Sequence, residues 1–443
     1  MADSTLEQAL LRWSGKPLLL GLSGGLDSTV LLHALASQAA VRSTGLRAVH
    51  VDHGLHTEAA GWGRHCERLC AGLGIELTVV RVEVAGDAGQ GLEAAARDAR
   101  YRAFAGVLRE GESLALGHHR DDQAETVLLR LLRASGSDGL SAMQARRPFA
   151  GGLLWRPLLA VPRVALLDYA QARSLAWIED PSNAEHGLDR NFLRHRVLPV
   201  LAERWPQAAR ALARSAQLLA EDARLLQEGA RERLQSLRVA EADCLSVAAL
   251  LALPGAWRSR VLREWLAELR LPPLPGAASA VIESDLLAAR ADADAQYRWA
   301  GAVLWRWRDL LHAEREQTAL PADWRCAWSG AEPLLLPTGD QLAFRQGSAT
   351  ATAAPASGCF TVATRQGGER ITLPRRQHSH TLKHCLQAAG VPAWQRQRLP
   401  LLWAEDGELL AAGDRLISAR LQQWNATHDL QLQWSRAGAI AGN

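Results

Sequence analysis

Short apolar runs alternate with runs of helical periodicity up to about residue 120. Apolar residues bounded by turn-forming residues predict strands at 17–22, 46–52, 76–83 and 113–118. Apolar residues at the helical period predict a helix over residues 28–36. Because strands and helices alternate, we expect an α/β fold, a doubly wound parallel sheet with helices on both faces.

The pattern changes after this region. Helical periodicity continues at 124–133 and 164–174, and a basic helix is expected at 189–204. A mainly helical region starts with the run 208–238, residues 296–308 alternate like a strand, and residues 348–358 form a small-residue linker. Short strands and a helix at 381–389 predict a small α+β unit. We therefore predict domains at 1–205, 206–345 and 359–437.

The composition narrows the class of protein. A chain of 443 residues with 48% hydrophobic and 22% charged residues suggests two or three soluble globular domains. The net charge of +3 permits an RNA partner without requiring one. The N-terminus does not resemble a signal peptide, and no uncharged apolar run could span a membrane, so we expect a cytoplasmic protein without a membrane partner. The six cysteines form no CxxC pair, and the histidines and cysteines lack zinc-type spacing.

A glycine-rich turn, SGGLDS, joins the first predicted strand to the first helix. Glycine lets the backbone approach a ligand closely, and the free N–H groups of a first helical turn favour an anion. We expect phosphate binding by this loop, with Asp27 suited to Mg2+. No lysine follows, so it is not the loop that grips a terminal phosphate. The candidate cofactor-binding residues are Ser23, Gly24, Gly25, Leu26, Asp27 and Ser28.

Two further strand ends are polar. They carry the sequences HVDHGL from His50 and GHHRDDQAET from Gly117. Ligands of open parallel sheets lie beyond the carboxyl ends of the strands, so we expect both segments to meet the loop. Asp121 or Asp122 could cap a helix, with Glu125 completing a capping box from Asp122. The remaining groups could hold Mg2+, orient an amine or move a proton, which gives as catalytic candidates Asp27, His118, Asp121, Asp122 and Glu125.

The SGGLDS loop resembles that of the PP-loop ATP pyrophosphatases, which cleave ATP between its α and β phosphates. In combination with further motifs, the chain resembles the tRNA(Ile)-lysidine synthetase family over nearly its whole length. These motifs are HVDHGLH from His50, EAAARDARYRAF from Glu93, LGHHRDDQAETVLLRLLRASG from Leu116, WIEDPSN from Trp177, DRNFLRHRVLP from Asp189, RQGGERITLP from Arg365 and LKHCLQAAGVPAWQRQRLPLLW from Leu382. One departure is His56, where arginine is common in the family.

The resemblance implies a ligase that uses ATP and Mg2+ to join free L-lysine to the wobble cytidine of isoleucine tRNA with a CAU anticodon. The cytidine would be adenylated first, and lysine would then displace AMP. A homodimer is one assembly that the sequence allows. The main alternative is an ATP-dependent tRNA thiolase, which needs reactive cysteines, and the only close pair is Cys66 and Cys70. Another alternative is an amide-forming synthetase, whose activity would not depend on RNA. A non-enzymatic RNA-binding protein is a further alternative, but it would give the SGGLDS loop and the carboxylate cluster no function.

The resemblance also suggests roles for individual residues. Val49, Val51 and Gly117 would belong to the nucleotide site, and the carboxylates Asp121, Asp122 and Glu125 would bind and deprotonate lysine. RNA would be bound by Arg190, Asn191, Arg194 and Arg196, with Arg97, Arg100, Arg102, Arg146 and Arg147 extending the track. In the C-terminal region the acceptor stem would meet Arg365, Arg370, Arg375, Arg376 and Lys383. Trp305 and Trp307 share one strand face, where we expect core packing rather than base stacking.

Overall fold

A computed structural model of the chain describes residues 2–54, 59–84, 92–179, 189–290, 295–317, 319–346 and 359–436. The chain divides into two compact units, Met1–Leu226 and Gln227–Asn443. Each unit contains a hydrophobic core of its own. No helix in the described part of the chain is long and apolar enough to cross a membrane.

A mixed sheet forms the centre of the first unit. Its described strands are β1 Leu18–Gly21, β2 Leu46–Asp52, β3 Glu76–Arg81, β4 Ser113–Ala115, β5 Arg146–Phe149 and β6 Gly152–Trp155. They are arranged in the order β3-β2-β1-β4-β6-β5, and all neighbours are parallel except β5 and β6. The predicted parallel sheet is confirmed, with one antiparallel strand at its edge.

Helices cover both faces of this sheet. The helices in this part of the chain are α1 Ala2–Leu10, α2 Leu26–Ala36, α3 Ala39–Thr44, α4 Ala59–Leu73, α5 Leu92–Val107, α6 Arg120–Leu132, α7 Ser137–Leu140, α8 Arg163–Ala172, α9 Asp189–Phe192 and α10 Leu198–Arg204, and α11 Ala208–Leu237 continues beyond the end of this unit at Leu226. A 3-10 helix, Pro157–Ala160, and a π-helix, Leu193–Val197, complete the set. Leu18 and Leu20 of β1 enter one buried cluster, whereas Leu19 enters another with Phe104. Because successive side chains of a strand point to opposite faces, an all-apolar strand requires this double cover.

A second, antiparallel sheet lies in the other unit. Its strands β7 Cys244–Ser246, β8 Ala295–Trp299, β9 Ala302–Trp307 and β10 Leu310–Arg315 pair in the order β7-β10-β9-β8. The helices around it are α12 Val247–Leu251, α13 Gly255–Glu268 and α14 Ala278–Val281, followed by a π-helix, Ile282–Leu287.

The predicted single strand at 296–308 was wrong in one respect, because the chain reverses between β8 and β9. Ala300 and Gly301 both have positive φ, 42° and 74°, the backbone that a two-residue hairpin needs. The expected core role of the tryptophans is confirmed. Trp305 is buried against Trp394, and Trp307 packs partly buried on the same cluster.

The remaining strands build the C-terminal part of the chain. They are β11 Arg325–Trp328, β12 Leu334–Leu335, β13 Gln341–Gln346, β14 Phe360–Ala363, β15 Arg370–Ile371, β16 His380–Thr381, β17 Leu401–Ala404, β18 Leu409–Ala412, β19 Leu416–Ile417 and β20 Leu430–Ser435. Three helices accompany them, α15 Leu382–Ala388, α16 Ala393–Arg396 and α17 Ala419–His428. This combination confirms the predicted small α+β region.

The pairing of these strands bears on the predicted domain limits. Strand β11 pairs with β14 and β13 pairs with β20, so hydrogen bonds join segments on both sides of the predicted limit near residue 345. Helices predominate from Ala208 only as far as Leu287, and strands follow them. The three-domain division stays a prediction, and the linker predicted at 348–358 lies outside the described residues.

Candidate active site

The loop between β1 and α2 is shaped by its serines and glycines. Ser28 Oγ accepts from the Ser23 N–H at 3.2 Å and lies 3.0 Å from Ser23 Oγ, which in turn accepts from the Gly25 N–H at 3.3 Å. Gly25 is the N-cap of α2 and provides no side-chain cap, so the free N–H groups of the first helical turn could bind an anion. These local hydrogen bonds fix the conformation of the loop.

Two glycines allow the backbone of the site to pack closely. Gly24 has φ of +84°, and a Cβ there would lie 3.1 Å from Ile178 Cδ1 and 3.2 Å from Cys66 Sγ. A Cβ on Gly117 would lie 3.1 Å from the backbone of Asp27 and Ser28. The end of β4 therefore contacts the loop directly, and only glycine fits at this contact.

The three polar strand ends converge on one cavity of about 870 Å³. That volume lies in the upper part of the usual range of ligand pockets, roughly 300–1,000 Å³. Its lining includes Asp27 of the loop, Val49 and Val51 of β2, and Gly117 and His118 after β4. The convergence predicted from the carboxyl ends of the parallel strands is therefore confirmed.

Helix α6 begins in an unexpected way. Its N-cap is His119, whose Nδ1 accepts from the N–H groups of Asp121 and Asp122 at 3.2 and 3.3 Å, while Asp122 Oδ2 accepts from the His119 N–H at 3.0 Å. The predicted caps, Asp121 or Asp122, and the predicted capping box from Asp122 to Glu125 were wrong. An imidazole nitrogen provides the acceptor instead, which shifts the box by three residues.

This cap orients the His119 ring toward Asp27. Because Nδ1 accepts two hydrogen bonds, we assign the ring hydrogen to Nε2. Nε2 lies 3.6 Å from Asp27 Oδ2 and 3.5 Å from Asp122 Oδ2. The His119 side chain is 1% exposed, so it lies buried between the two carboxylates.

Asp27 is the carboxylate that best suits a metal ion. Its Oδ1 is buried and has no hydrogen-bond partner among the described residues. Burial raises the pKa of Asp27, and the nearby Asp122 adds to this, whereas His119 acts in the opposite direction. A buried carboxylate oxygen without a partner is relieved by a cation, so the residues present fit Mg2+ at this position.

Asp122 and Glu125 are held by two arginines. Arg190 Nε and Arg194 Nε donate to Glu125 at 2.7 and 2.6 Å, and the Nη2 groups of both arginines donate to Asp122 Oδ1 at 3.0 Å. The Glu125 side chain is fully buried. Burial alone would raise the pKa of Asp122, but His119 and Arg190 outweigh it and hold that pKa below its usual value.

His118 faces the same cavity in its neutral form. Burial lowers the pKa of His118 to about 3, although the Asp122 carboxylate acts in the opposite direction. Its Nδ1 is buried without a hydrogen-bond partner among the described residues. At neutral pH the ring can therefore accept or donate a hydrogen bond but brings no charge.

The comparisons with known proteins decide the family. Family models match residues 2–201 (PP-loop domain), 245–312 (TilS substrate binding domain) and 360–434 (TilS substrate C-terminal domain). The chain is 51% identical over 421 residues to a tRNA(Ile)-lysidine synthase of Xanthomonas axonopodis pv. citri, covering 95% of this chain and 94% of the relative. The chain belongs to the tRNA(Ile)-lysidine synthase family.

Two other relatives agree with this assignment. The tRNA(Ile)-lysidine synthase of Xylella fastidiosa strain 9a5c is 50% identical over 95% of both chains. That of Pseudomonas aeruginosa is 43% identical over 98% of this chain and 97% of its own length. The family predicted from the sequence motifs is confirmed, and so is the PP-loop fold.

In this lysidine synthase family member, many predicted residues line the cavity. They are Ser23, Gly25, Leu26, Asp27, Ser28, Val49, Val51, Gly117, His118, Asp122, Arg97, Arg100 and Arg194. Gly24 packs against Ile178 and Cys66. Arg190 is hydrogen-bonded to both Glu125 and Asp122. Asp121 Oδ2 accepts from the Arg163 N–H at 2.9 Å. The structure therefore places Glu125 against arginines rather than in the position expected for a lysine-binding group.

The predicted RNA-binding residues fall into separate groups. Arg190 and Arg194 lie on one helical face, as predicted, but both side chains are hydrogen-bonded to Glu125. Asn191 is buried, and Arg196 is exposed. Arg97, Arg100, Arg102 and Arg146 are exposed, and Arg147 lies over the Tyr101 ring. In the second unit Arg370, Arg375, Arg376 and Lys383 are exposed, whereas Arg365 is paired with Glu369. The RNA-binding roles stay predictions.

Some cavity residues were not predicted as site residues, although Trp177 opens the WIEDPSN motif and His195 lies within DRNFLRHRVLP. Trp62, Trp177 and His195 line the cavity together with Tyr101 and Phe104. Tyr101 and Phe104 lie within the motif from Glu93, which supported the resemblance but did not indicate that these two side chains line the cavity. His119 stood beside His118 in the sequence, and only the cap geometry distinguishes their roles.

Proposed function

We propose that this chain joins the side-chain amine of free lysine to the wobble cytidine of isoleucine tRNA with a CAU anticodon, forming lysidine. Membership of the tRNA(Ile)-lysidine synthase family confirms the reaction predicted from the sequence and the ligase class. The observation in the structure that best supports the chemistry is the buried Asp27 Oδ1, which has no hydrogen-bond partner among the described residues and belongs to a glycine-rich loop that lines a cavity of about 870 Å³.

The first step would adenylate the cytidine. The cytosine carbonyl oxygen attacks the α-phosphate of ATP, and pyrophosphate leaves. The free N–H groups in the first turn of α2 would hold the phosphates, and Val49 and Val51 at the end of β2 would contact the adenine. Mg2+ at Asp27 would neutralise charge on the phosphates. Nε2 of the buried His119 lies 3.6 Å from Asp27 Oδ2.

The second step would transfer lysine. The lysine amine attacks the activated cytosine carbon, AMP leaves with the carbonyl oxygen, and the attacking nitrogen loses a proton. Lysine arrives as an ammonium ion with a reference pKa of about 10.4. Asp122 lines the cavity and carries a carboxylate whose pKa is held low, so it can attract that ammonium. Asp121 lies beside it and is the more exposed of the two.

Glu125 would act through its neighbours. Because both of its oxygens are bound by Arg190 and Arg194, it would position these arginines and, through them, Asp122. We therefore propose Glu125 as a positioning residue and Asp121 and Asp122 as the groups that meet lysine.

The thiolase alternative is not favoured. Family membership points to lysidine formation, and the only close cysteine pair is buried. Burial raises the pKa of Cys66 to about 12 and that of Cys70 to about 11. Sulfur transfer needs an accessible thiolate, which neither residue offers at neutral pH.

Labelled free lysine tests the proposal directly. The purified chain is incubated with ATP, Mg2+ and unmodified isoleucine tRNA bearing CAU, with elongator methionine tRNA of the same anticodon as a control. Lysine should enter only the isoleucine tRNA, with release of AMP and pyrophosphate. RNA-stimulated pyrophosphate release without lysine incorporation would instead point to another nucleophile.

The two steps can be separated by a variant. Asp122→Asn should keep tRNA-dependent pyrophosphate release but lose lysine transfer by a factor on the order of 10²–10⁴, the usual contribution of a positioned acid or base. Asp168→Asn, on the exposed face of α8, serves as the matched control. Equal lysine transfer by both variants would exclude Asp122 from the second step.

A further inference from the structure

Three metal-ligating side chains meet in the second unit, far along the chain from the active-site motifs. Cys244 and His312 are cross-strand partners of β7 and β10, and Asp243 precedes β7. His312 Nδ1 lies 3.5 Å from Cys244 Sγ and 3.5 Å from Asp243 Oδ2. Among the described residues, they form a group whose donor atoms all lie within 4.8 Å of one another.

The His312 ring is held rigidly from its other side. Its Nε2 lies 3.6 Å from Glu314 Oε2, and Arg398 donates to both oxygens of Glu314 at 2.6 and 2.9 Å. The ring stacks on Trp394 with 4.5 Å between centroids and 3° between planes. His312 is 1% exposed, so the direction of its Nδ1 lone pair is fixed.

One ring nitrogen of His312 is left unsatisfied, because Nδ1 lies within hydrogen-bond distance of the Cys244 thiol whereas Nε2 has no hydrogen-bond partner among the described residues. A neutral imidazole has one N–H, yet His312 presents each of its nitrogens to a carboxylate, Asp243 on one side and Glu314 on the other. A protonated ring could donate to both, but charge-assisted N–H···O bonds are about 2.7–2.9 Å long. The separations of 3.5 and 3.6 Å are too long for such bonds, and Nε2 has no hydrogen-bond partner in the described part of the chain.

The same separations match a shared metal ion. With the usual Zn–S and Zn–N lengths of about 2.3 and 2.05 Å, tetrahedral angles place sulfur and nitrogen about 3.6 Å apart. Nitrogen and carboxylate oxygen would be about 3.4 Å apart by the same geometry. The observed distances are 3.5 Å in both cases. The thiol of Cys244 is within hydrogen-bond distance of Glu241 Oε2 at 3.7 Å, but Glu241 does not belong to the group of three whose donor atoms all lie within 4.8 Å of one another.

We propose that Asp243, Cys244 and His312 bind one divalent transition-metal ion of the zinc type. Glu314 faces His312 Nε2 at 3.6 Å, on the side of the ring where a carboxylate commonly supports a metal-bound histidine. Binding replaces the thiol proton of Cys244, which passes to solvent, by a metal–sulfur bond. Because Cys244 and His312 are buried and the ligands come from two paired strands, the site is structural and fastens β7 to β10.

Cobalt is a suitable probe, because its bond to a thiolate absorbs in the near ultraviolet. The full chain, reduced and freed of metal with a chelator, is titrated with Co2+. We expect a thiolate-to-cobalt band that saturates at one ion per chain and disappears when Zn2+ is added. Cys244→Ser should remove the band, and Cys359→Ser, at an exposed cysteine, should leave it unchanged. Absence of the band, or its loss only in Cys359→Ser, would overturn the proposal.

Two milder substitutions keep the test decisive if Cys244→Ser does not fold. Asp243→Asn alters a half-buried ligand and should weaken Co2+ binding while the band persists. Glu314→Gln should lower the metal affinity about 10–100-fold, the usual effect of losing such a supporting carboxylate. Circular dichroism checks that each variant is folded. Unchanged affinity in both folded variants would show that His312 is held by its polar neighbours without a metal.

Discussion

Arg194 binds Glu125 through two parallel hydrogen bonds, Nε to Oε1 at 2.6 Å and Nη2 to Oε2 at 3.1 Å. Glu125 lies on α6 and Arg194 on the π-helix that follows α9, so the pair joins two segments 69 residues apart in sequence. Because the carboxylate is fully buried, its charge is stabilised almost entirely by Arg194 and Arg190.

Removing this carboxylate should destabilise the fold. Glu125→Gln leaves two arginines with Asp122 as their remaining acidic partner, and breaking a buried pair typically costs about 3–5 kcal/mol. We expect the lower end, about 3 kcal/mol, because the arginine side chains are about one-quarter exposed. Thermal unfolding measures the loss. Glu76→Gln is the control, since its pair with Arg109 is mostly exposed and should contribute less than about 1 kcal/mol. Equal shifts in both variants would contradict the assignment.

The hydrophobic pattern predicted the elements that form the site. Residues 46–52 form β2, and the run 208–238 matches α11 to within one residue. Short apolar runs and helical periods are local signals, and the rule that ligands lie beyond parallel strand ends then located the cavity. For these elements the local pattern and the fold agree.

Side-chain partners could not be predicted in the same way. Nothing local pairs Glu125 with Arg194, or Cys244 with His312 68 residues later, because such contacts depend on how separate elements pack. The cap of α6 was missed for another reason. Aspartate is the commoner N-cap, so Asp121 and Asp122 concealed the role of His119. Zinc-type spacing fails for Cys244 and His312 because their proximity comes from strand pairing.

Acidification should lower the free energy of unfolding, because His118 is buried in its neutral form. Its pKa is lowered to about 3, whereas that of the unfolded chain is near the ordinary value of 6.5. Between these values the unfolded state binds the extra proton, so stability is present above pH 6.5 and is lost as the pH falls toward 3. One such group contributes a slope of at most about 1.4 kcal/mol per pH unit.

The variant His118→Gln tests this relationship. It should reduce the slope of stability against pH below 6.5, which denaturant unfolding at several pH values measures. His428→Gln, at an exposed histidine, is the control and should leave the slope close to that of the parent chain. An unchanged slope in His118→Gln would mean that His118 titrates normally in the folded chain.

Asp27 should show opposite effects on stability and activity. Burial raises its pKa, so the ionised carboxylate destabilises the metal-free fold above the ordinary carboxyl pKa, and this cost disappears when the pH falls below it. Asp27→Asn should therefore raise the melting temperature at pH 7 and abolish tRNA-dependent pyrophosphate release. Added Mg2+ should stabilise the parent chain in the presence of ATP more than the variant. A variant that is less stable and still active would contradict both the burial argument and the metal assignment.

The salt dependence of tRNA binding should identify which arginines contact phosphate. Each neutralised phosphate contributes about 0.9 to the slope of log affinity against log salt for duplex nucleic acid, and about 0.7 for single strands. Arg196 is exposed on the predicted RNA-binding segment, so Arg196→Ala should reduce that slope by nearly one and weaken binding. Arg42→Ala, an exposed arginine of α3 outside the family motifs, should change neither quantity. Binding curves at several salt concentrations give the slopes, and identical slopes for Arg196→Ala and the parent chain would remove Arg196 from the interface.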